Sequence, residues 1–167
     1  MCIVIDTNSL ASVFEKSSAN HQDFAPVLDW VKTGKGKVVY GGTRFCLELG
    51  KYLKLFKLLN SAGKAVFVDS KLVDQEEMRI SGLISHADFD DQHLVALLLV
   101  SKCKIICSQD KRAFPYFRHP MLFGSKAARP RIYKSNRNSN LLSDLMIAEI
   151  CKPCSPTTKA QLLALQL

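Results

Sequence analysis

The sequence predicts an α/β fold: a single three-layer α/β/α domain around a central, mostly parallel sheet of four to five strands. Three observations predict it. Short, continuously apolar runs rich in valine and isoleucine alternate with longer segments of helical periodicity, the pattern of strands buried on both faces and joined by crossover helices. The chain has 167 residues, close to the size of one domain. At 47% hydrophobic and 23% charged residues it has enough apolar side chain for a core, which excludes disorder as a reading of the whole. The longest unbroken apolar run, Leu94–Val100, is seven residues. A bilayer span needs about 20. Met1–Asp6 lacks the basic-then-apolar order of a secretion signal, so a cytoplasmic protein that does not contact membrane is expected.

Taken in order, Cys2–Ile5 reads as the first strand and ends at Asp6. Residues 8–15 and 23–32 read as helices. Residues 37–40 form the second strand, closed by Gly41 and Gly42. Thr43 can cap a long helix running to about Asn60, which stops at Ser61-Ala62-Gly63. Residues 65–68 are the third strand and 72–84 a further amphipathic helix. Asp88 can cap a helix over 89–102 that is apolar nearly all round and therefore buried. Residues 104–107 are the fourth strand, ending in Ser108-Gln109-Asp110, with a short helix from Lys111. Residues 118–130 read as a loop, Arg131-Ile132-Tyr133 as a fifth, edge strand, and 141–150 as a helix. A linker over 152–156 precedes a short apolar tail, 160–167.

Six cysteines stand at 2, 46, 103, 107, 151 and 154. Without an export signal they read as reduced thiols that pack like small hydrophobes. Cys151-Lys152-Pro153-Cys154 is a lone C-x-x-C with no second pair at zinc spacing, so a structural zinc is not expected from spacing alone.

The net charge of +8 is localised. Residues 1–110 carry 13 Lys/Arg and 13 Asp/Glu, and residues 138–167 carry two of each. The whole excess falls in residues 111–137, where Lys111, Arg112, Arg118, Lys126, Arg129, Arg131, Lys134 and Arg137 occur with no acid. Tyr116, Phe117, Phe123 and Tyr133 lie among them. Cations interleaved with rings suit phosphates and unstacked bases, so these eight residues are candidate RNA contacts. A basic loop that binds nothing, or one that docks an acidic protein, is the other reading of the same stretch.

In open parallel sheets, sites gather at the carboxyl ends of the strands, and here two strands end in Asp6 and Asp110. Glu48 projects on the apolar side of the 43–60 helix beside Phe45, Tyr52 and Leu59, away from Lys51, Lys54 and Lys57, with Arg44 as its nearest local cation. Asp88, Asp90 and Asp91 are more acids than one helix start needs. Asp91 shares a face with Val95 and Leu98 and is the inward candidate, Asp88 the cap, and Asp90 a solvent-facing auxiliary. His93 reads as a polar residue on the rim of this helix. Four carboxylates from scattered positions, Asp6, Glu48, Asp91 and Asp110, are expected to meet at one rim. They stay ionised together only if cations join them, and oxygen ligands favour Mg²⁺ or Mn²⁺, one or two ions.

These residues resemble a PIN-domain ribonuclease of the kind found as toxins of VapC-like toxin–antitoxin pairs. Val4-Ile5-Asp6-Thr7-Asn8 resembles the family's strand-end D-x-N, Glu48 its helix-borne second acid, and Asp91-Gln92-His93-Leu94-Val95-Ala96 its third acid and buried helix. Ser101 to Asp110 resembles the strand with its fourth acid, and Ser108 matches an accompanying hydroxyl. The resemblance covers about residues 2–135. It implies a Mg²⁺/Mn²⁺-dependent endoribonuclease domain over 1–137, leaving 5′-phosphate and 3′-hydroxyl ends, with a C-terminal helical extension over 138–167. It further implies a homodimer and an antitoxin or inhibitor protein as partner. Asp6, Glu48, Asp91 and Asp110 would be catalytic and metal-binding, with Asn8, Asp88, Asp90 and Ser108 auxiliary. A non-catalytic PIN-fold module that binds RNA or protein is the alternative. A dehalogenase-type phosphatase would need an acid where Asn8 stands. A receiver domain would need one at Thr7.

Overall fold

A computed structural model of the chain describes residues 2–165. Five strands form one all-parallel sheet in the order β3-β2-β1-β4-β5. They are β1 (Cys2–Ile5), β2 (Lys37–Gly41), β3 (Ala65–Val68), β4 (Ile105–Cys107) and β5 (Arg131–Tyr133). The helices are α1 (Leu10–Phe14), α2 (His21–Lys32), α3 (Thr43–Glu48), α4 (Leu53–Ser61), α5 (Ser70–Leu83), α6 (Gln92–Ser101), α7 (Pro120–Phe123) and α8 (Lys159–Leu165).

The strand order is what positions the site. The chain starts in the middle of the sheet, moves outward through β2 and β3, and returns across it to β4. The crossover from β3 back to β4 is the packed pair α5–α6, and α3 touches both of its helices. The direction reverses between β1 and β4, which pair as Val4↔Ile106 and Ile5↔Cys107. Both strands are fully buried, as their unbroken apolar runs require. Their carboxyl ends therefore open a crevice at the reversal point, where sites of open sheets form.

Several elements differ from the sequence reading, each for a physical reason. The 43–60 helix is two helices separated by a 3₁₀ turn at Gly50–Tyr52, because Gly50 takes φ +50°, a left-handed conformation that no continuous helix contains. Thr43 is not its cap: the N-cap is Gly42, and Thr43 binds Asp74 through both its N–H (2.8 Å) and its hydroxyl (2.6 Å). Upstream, Gly41 closes β2 where an added Cβ would meet Val68 O at 2.2 Å, so only glycine fits. Asp88 does not cap α6. That helix begins at Gln92 with Asp91 at the N-cap, and Asp88 is exposed in the preceding turn. Phe89 is buried there and stacks on Tyr116 with ring centroids 4.2 Å apart, a tertiary contact that holds the chain out of the helix.

The short helix expected from Lys111 is a set of turns ending in a 3₁₀ turn at Tyr116–Arg118, and the 118–130 loop contains α7. The helix expected over 141–150 is absent; 3₁₀ turns occupy Asn136–Leu141, Asp144–Met146 and Glu149–Cys151. Asn138 explains the first of these. Its Oδ1 accepts from the N–H groups of Lys134 and Ser135, and its Nδ2 donates to Ile132 O at 2.8 Å, local bonds that compete with helix and blunt the open edge of β5. The C-terminal segment joins the same core through buried Ala148, Cys151 and Leu165. The apolar tail is helical as α8, and its last two positions, 166 and 167, lie outside the described residues.

Candidate functional site

Asp6 continues from β1 with its N–H on Cys107 O (2.9 Å), so the strand pairing itself places the side chain, which is 2% exposed. A buried carboxylate needs donors, and three reach it. Ser108 Oγ donates to Oδ2 at 2.6 Å, Asn8 Nδ2 to Oδ2 at 2.7 Å, and the Asn8 N–H to Oδ1 at 3.3 Å. Gln109 and Ser9 both bind Asn8 Oδ1, and Asp110 N–H donates to Ser108 Oγ at 3.1 Å. One polar network thus links the ends of β1 and β4. Burial pushes the Asp6 carboxyl above its ordinary range, the Ser108 and Asn8 donors oppose this, and the Asp110 charge adds to it.

Asp91 occupies the N-cap of α6 without making a side-chain cap bond, which leaves its carboxyl available. Its pKa is raised to about 7, first by burial and then by the charges of Asp6, Asp90, Asp110 and Glu48. Asp6, Asp110 and Glu48 thus all act on Asp91 by their charge. Asp90 is exposed and acts on Asp91 through its charge; Asp88 is exposed and stays at the margin, 3.8 Å from His86 Nδ1.

Glu48 ends α3 at the rim, its side chain one-third exposed, and does not pack into the core as helical projection from one long helix predicts. Arg44 holds Oε1 at 3.0 Å and reaches Glu77 Oε1 at 3.5 Å. His93, which the sequence places on a rim, is in fact 1% exposed, with Nε2 3.1 Å from Glu48 Oε2 but without hydrogen-bond alignment. Burial lowers its pKa to about 4, so the imidazole is neutral at neutral pH and the contact is not an ion pair. Its place in the first turn after Asp91 is the signal that could have tied it to the acids.

Asp110 is gripped by Arg112, with Nε on Oδ1 at 3.3 Å, Nη2 on Oδ2 at 3.0 Å and the backbone N–H on Oδ1 at 2.9 Å. The guanidinium holds this carboxyl below its usual range. Arg112 is therefore engaged at the acid rim. Of the other seven basic candidates, Lys111, Arg118, Arg129, Arg131 and Lys134 line a groove of about 800 Å³ beside β5, and no acid lines it. Phe114 supplies a ring in that groove, with Lys134 Nζ 5.3 Å from its centroid, and Arg129 Nε is buried there without a partner. Lys126 and Arg137 are exposed and do not line the groove.

Four carboxylates offer hard oxygen donors, which is the donor chemistry of a divalent cation, and Asp91, raised first by burial, is raised further by the charges of the other three. Among the described residues, no three His, Cys, Asp or Glu side chains are already set at metal-ligating spacing.

Fold and rim define a class: an all-parallel α/β protein with an acidic site at the carboxyl edge of its sheet and a basic groove beside it. Compared with known proteins, the chain matches no family model, no curated protein and no solved structure. No helix among the described residues is long and apolar enough to cross a membrane.

Proposed function

We propose that this protein is a Mg²⁺- or Mn²⁺-dependent endoribonuclease that hydrolyses RNA phosphodiester bonds, a toxin-like component of a toxin–antitoxin or defence system. The observation that carries the reading is the network at the ends of β1 and β4, where Ser108 binds both the Asp6 carboxylate and the Asp110 N–H. Asp91 stands at the uncapped start of α6, near enough for the charges of Asp6 and Asp110 to add to the effect of its burial. Like charges gathered this way are sustained by a cation, and Asp6, Glu48, Asp91 and Asp110 would hold one or two ions. Such ions activate a water and neutralise charge on the phosphodiester.

The chain's own side chains have distinct tasks in this reading. Ser108 and Asn8 fix the Asp6 carboxylate, and Arg44 fixes Glu48, the ligand or proton acceptor. Arg112 neutralises Asp110, a carboxylate that would also serve as a ligand to such an ion. The groove that starts at Lys111, the residue after Asp110, would hold the RNA backbone next to the acids. An inhibitory protein that inserts into the rim and a second copy of the chain remain the partners this reading expects.

Purified wild type incubated with single-stranded RNA and Mn²⁺ should yield products with 5′-phosphate and 3′-hydroxyl ends. Asp6→Asn should abolish cleavage with an unchanged circular dichroism spectrum. Wild type that binds RNA but never cleaves it, with or without Mn²⁺, would replace this reading with a non-catalytic RNA-binding module.

A further inference from the structure

The rings that lie among the cations of residues 111–137 do not share one fate. Phe117 and Tyr133 are fully buried, and Phe123 is 8% exposed. The Tyr133 ring packs edge-on against Phe24, and its hydroxyl donates to Asp23 O at 3.0 Å. Tyr116 lies flat on Phe89 with the two planes 9° apart, and His86 stands 6.0 Å from it. These four rings serve the fold itself. A base could reach none of them without displacing a tertiary contact.

Phe114 is different. It is half-buried and packs against the core, yet it lines the groove beside β5 together with Lys111, Arg118, Arg129, Arg131 and Lys134. Pro115 follows it and restricts its backbone, which lessens the entropy lost when a ligand is held against the ring. Lys134 is exposed, with Nζ 5.3 Å from the ring centroid. An exposed ammonium over a benzene ring is a weak contact that a base can replace. Arg129 Nε is buried without a partner. Leaving such a donor unpaired is costly, and in a groove with no acid of its own a phosphate oxygen is the acceptor that suits it. The groove's volume of about 800 Å³ is that of a cavity for a nucleotide-sized ligand, larger than a lone phosphate needs.

We infer that the groove beside β5 is a nucleotide subsite, in which one unstacked RNA base lies on the Phe114 ring and the adjoining phosphates lie on Arg129, Arg131 and Lys134. The inference rests on the RNA path proposed above and not on cleavage. Every base has a flat π face, so the ring adds affinity without choosing among bases, while the cations follow the backbone. Lys111 comes directly after Asp110, so the subsite adjoins the acid rim. A nucleotide held there sets which phosphodiester of the strand comes to the carboxylates.

Fluorescence anisotropy in EDTA, which keeps any cleavage out of the readout, compares a short labelled single-stranded RNA with an abasic ribose-phosphate oligomer of the same length and charge. Wild type should bind the RNA roughly 5- to 150-fold more tightly, the span expected for one base on one ring. Phe114→Leu should lose that preference and keep the salt dependence of binding, and Phe114→Trp should restore it. Should Phe114→Leu fail to fold, wild type still decides the matter: RNA carrying thiouridine should photocrosslink to Phe114, as mapped by mass spectrometry. Equal binding of the two oligomers by wild type overturns the subsite. So does a folded Phe114→Leu that keeps the full preference, or crosslinking that spares Phe114. Wild type that prefers the RNA but never cleaves it with Mn²⁺ upholds the subsite and removes the nuclease reading instead.

Discussion

Ser108 Oγ donates to Asp6 Oδ2 at 2.6 Å, a buried hydrogen bond between residues 102 positions apart that joins the ends of β1 and β4. It opposes the effect of burial on Asp6, whose carboxyl is nevertheless raised. Ser108→Ala should therefore raise the Asp6 pKa further and cost about 1.5–3 kcal/mol of stability, the range for a hydrogen bond to a charged group. Urea denaturation at neutral pH measures the second effect, and carboxyl NMR titration the first. An unmoved Asp6 pKa would mean that the hydroxyl does not favour the ionised form.

The pH dependence of stability follows from Asp91, whose carboxyl titrates near 7 in the fold against an ordinary 3.8. Between those values the folded state binds more protons than the unfolded one, so stability falls as pH rises. The favourable contribution is complete below about pH 4 and is lost as pH passes through about 7. Partial exposure of the side chain reduces its size. In EDTA, Asp91→Asn should melt higher than wild type at about pH 8, with the gap closing towards about pH 4. Millimolar Mn²⁺ should raise the wild-type Tm at the higher pH and leave Asp91→Asn nearly unmoved, since only a ligand that binds the folded state stabilises it. Equal Mn²⁺ shifts in both proteins would remove Asp91 from the metal set.

Local sequence made some of this legible and concealed the rest. Asp6 and Asp110 were readable because a strand buried on both faces is an unbroken apolar run, and its end is plain in the sequence. The edge strand Arg131–Tyr133 was readable too, although its run is not wholly apolar and Arg131 is exposed. Glu48 was readable as a residue but not as a position, since Gly50 breaks the helix that would have turned it inward. Asp88 looks like a cap because capping is local. What decides the start of α6 is Phe89 stacking on Tyr116, 27 residues away. The 141–150 helix fails as well, just after Asn138, whose side chain is bound to the backbone of Ile132, Lys134 and Ser135 upstream of it.

Arg112 offers a test that separates two roles. Its bonds to Asp110 make it a competitor of any cation at that carboxylate. The arginine side of the pair is fully exposed, so solvent screens it and keeps its worth small. Arg112→Gln should accordingly raise Mn²⁺ affinity by up to about fivefold in calorimetry, with the Asp110 pKa moving upward. If RNA affinity falls instead while Mn²⁺ affinity stays fixed, the guanidinium serves the nucleic acid and not the acid rim.

The groove beside β5 makes the last prediction, because it divides eight basic residues by geometry. Lys111, Arg118, Arg129, Arg131 and Lys134 line it, whereas Lys126 and Arg137 do not and Arg112 is held by Asp110. Each phosphate contact on a single strand contributes about 0.7 to the slope of log affinity against log salt, through release of condensed counterions. Replacing Arg129, Arg131 and Lys134 together by serine should lower that slope by about 2 and weaken RNA binding at low salt most. Replacing Lys126 and Arg137 should leave the slope unchanged to within about 0.7, one contact. Fluorescence anisotropy with a labelled single-stranded RNA over a salt series measures both. Equal slopes for the two sets would mean that RNA does not run through the groove, and that the localised charge attracts it only from a distance.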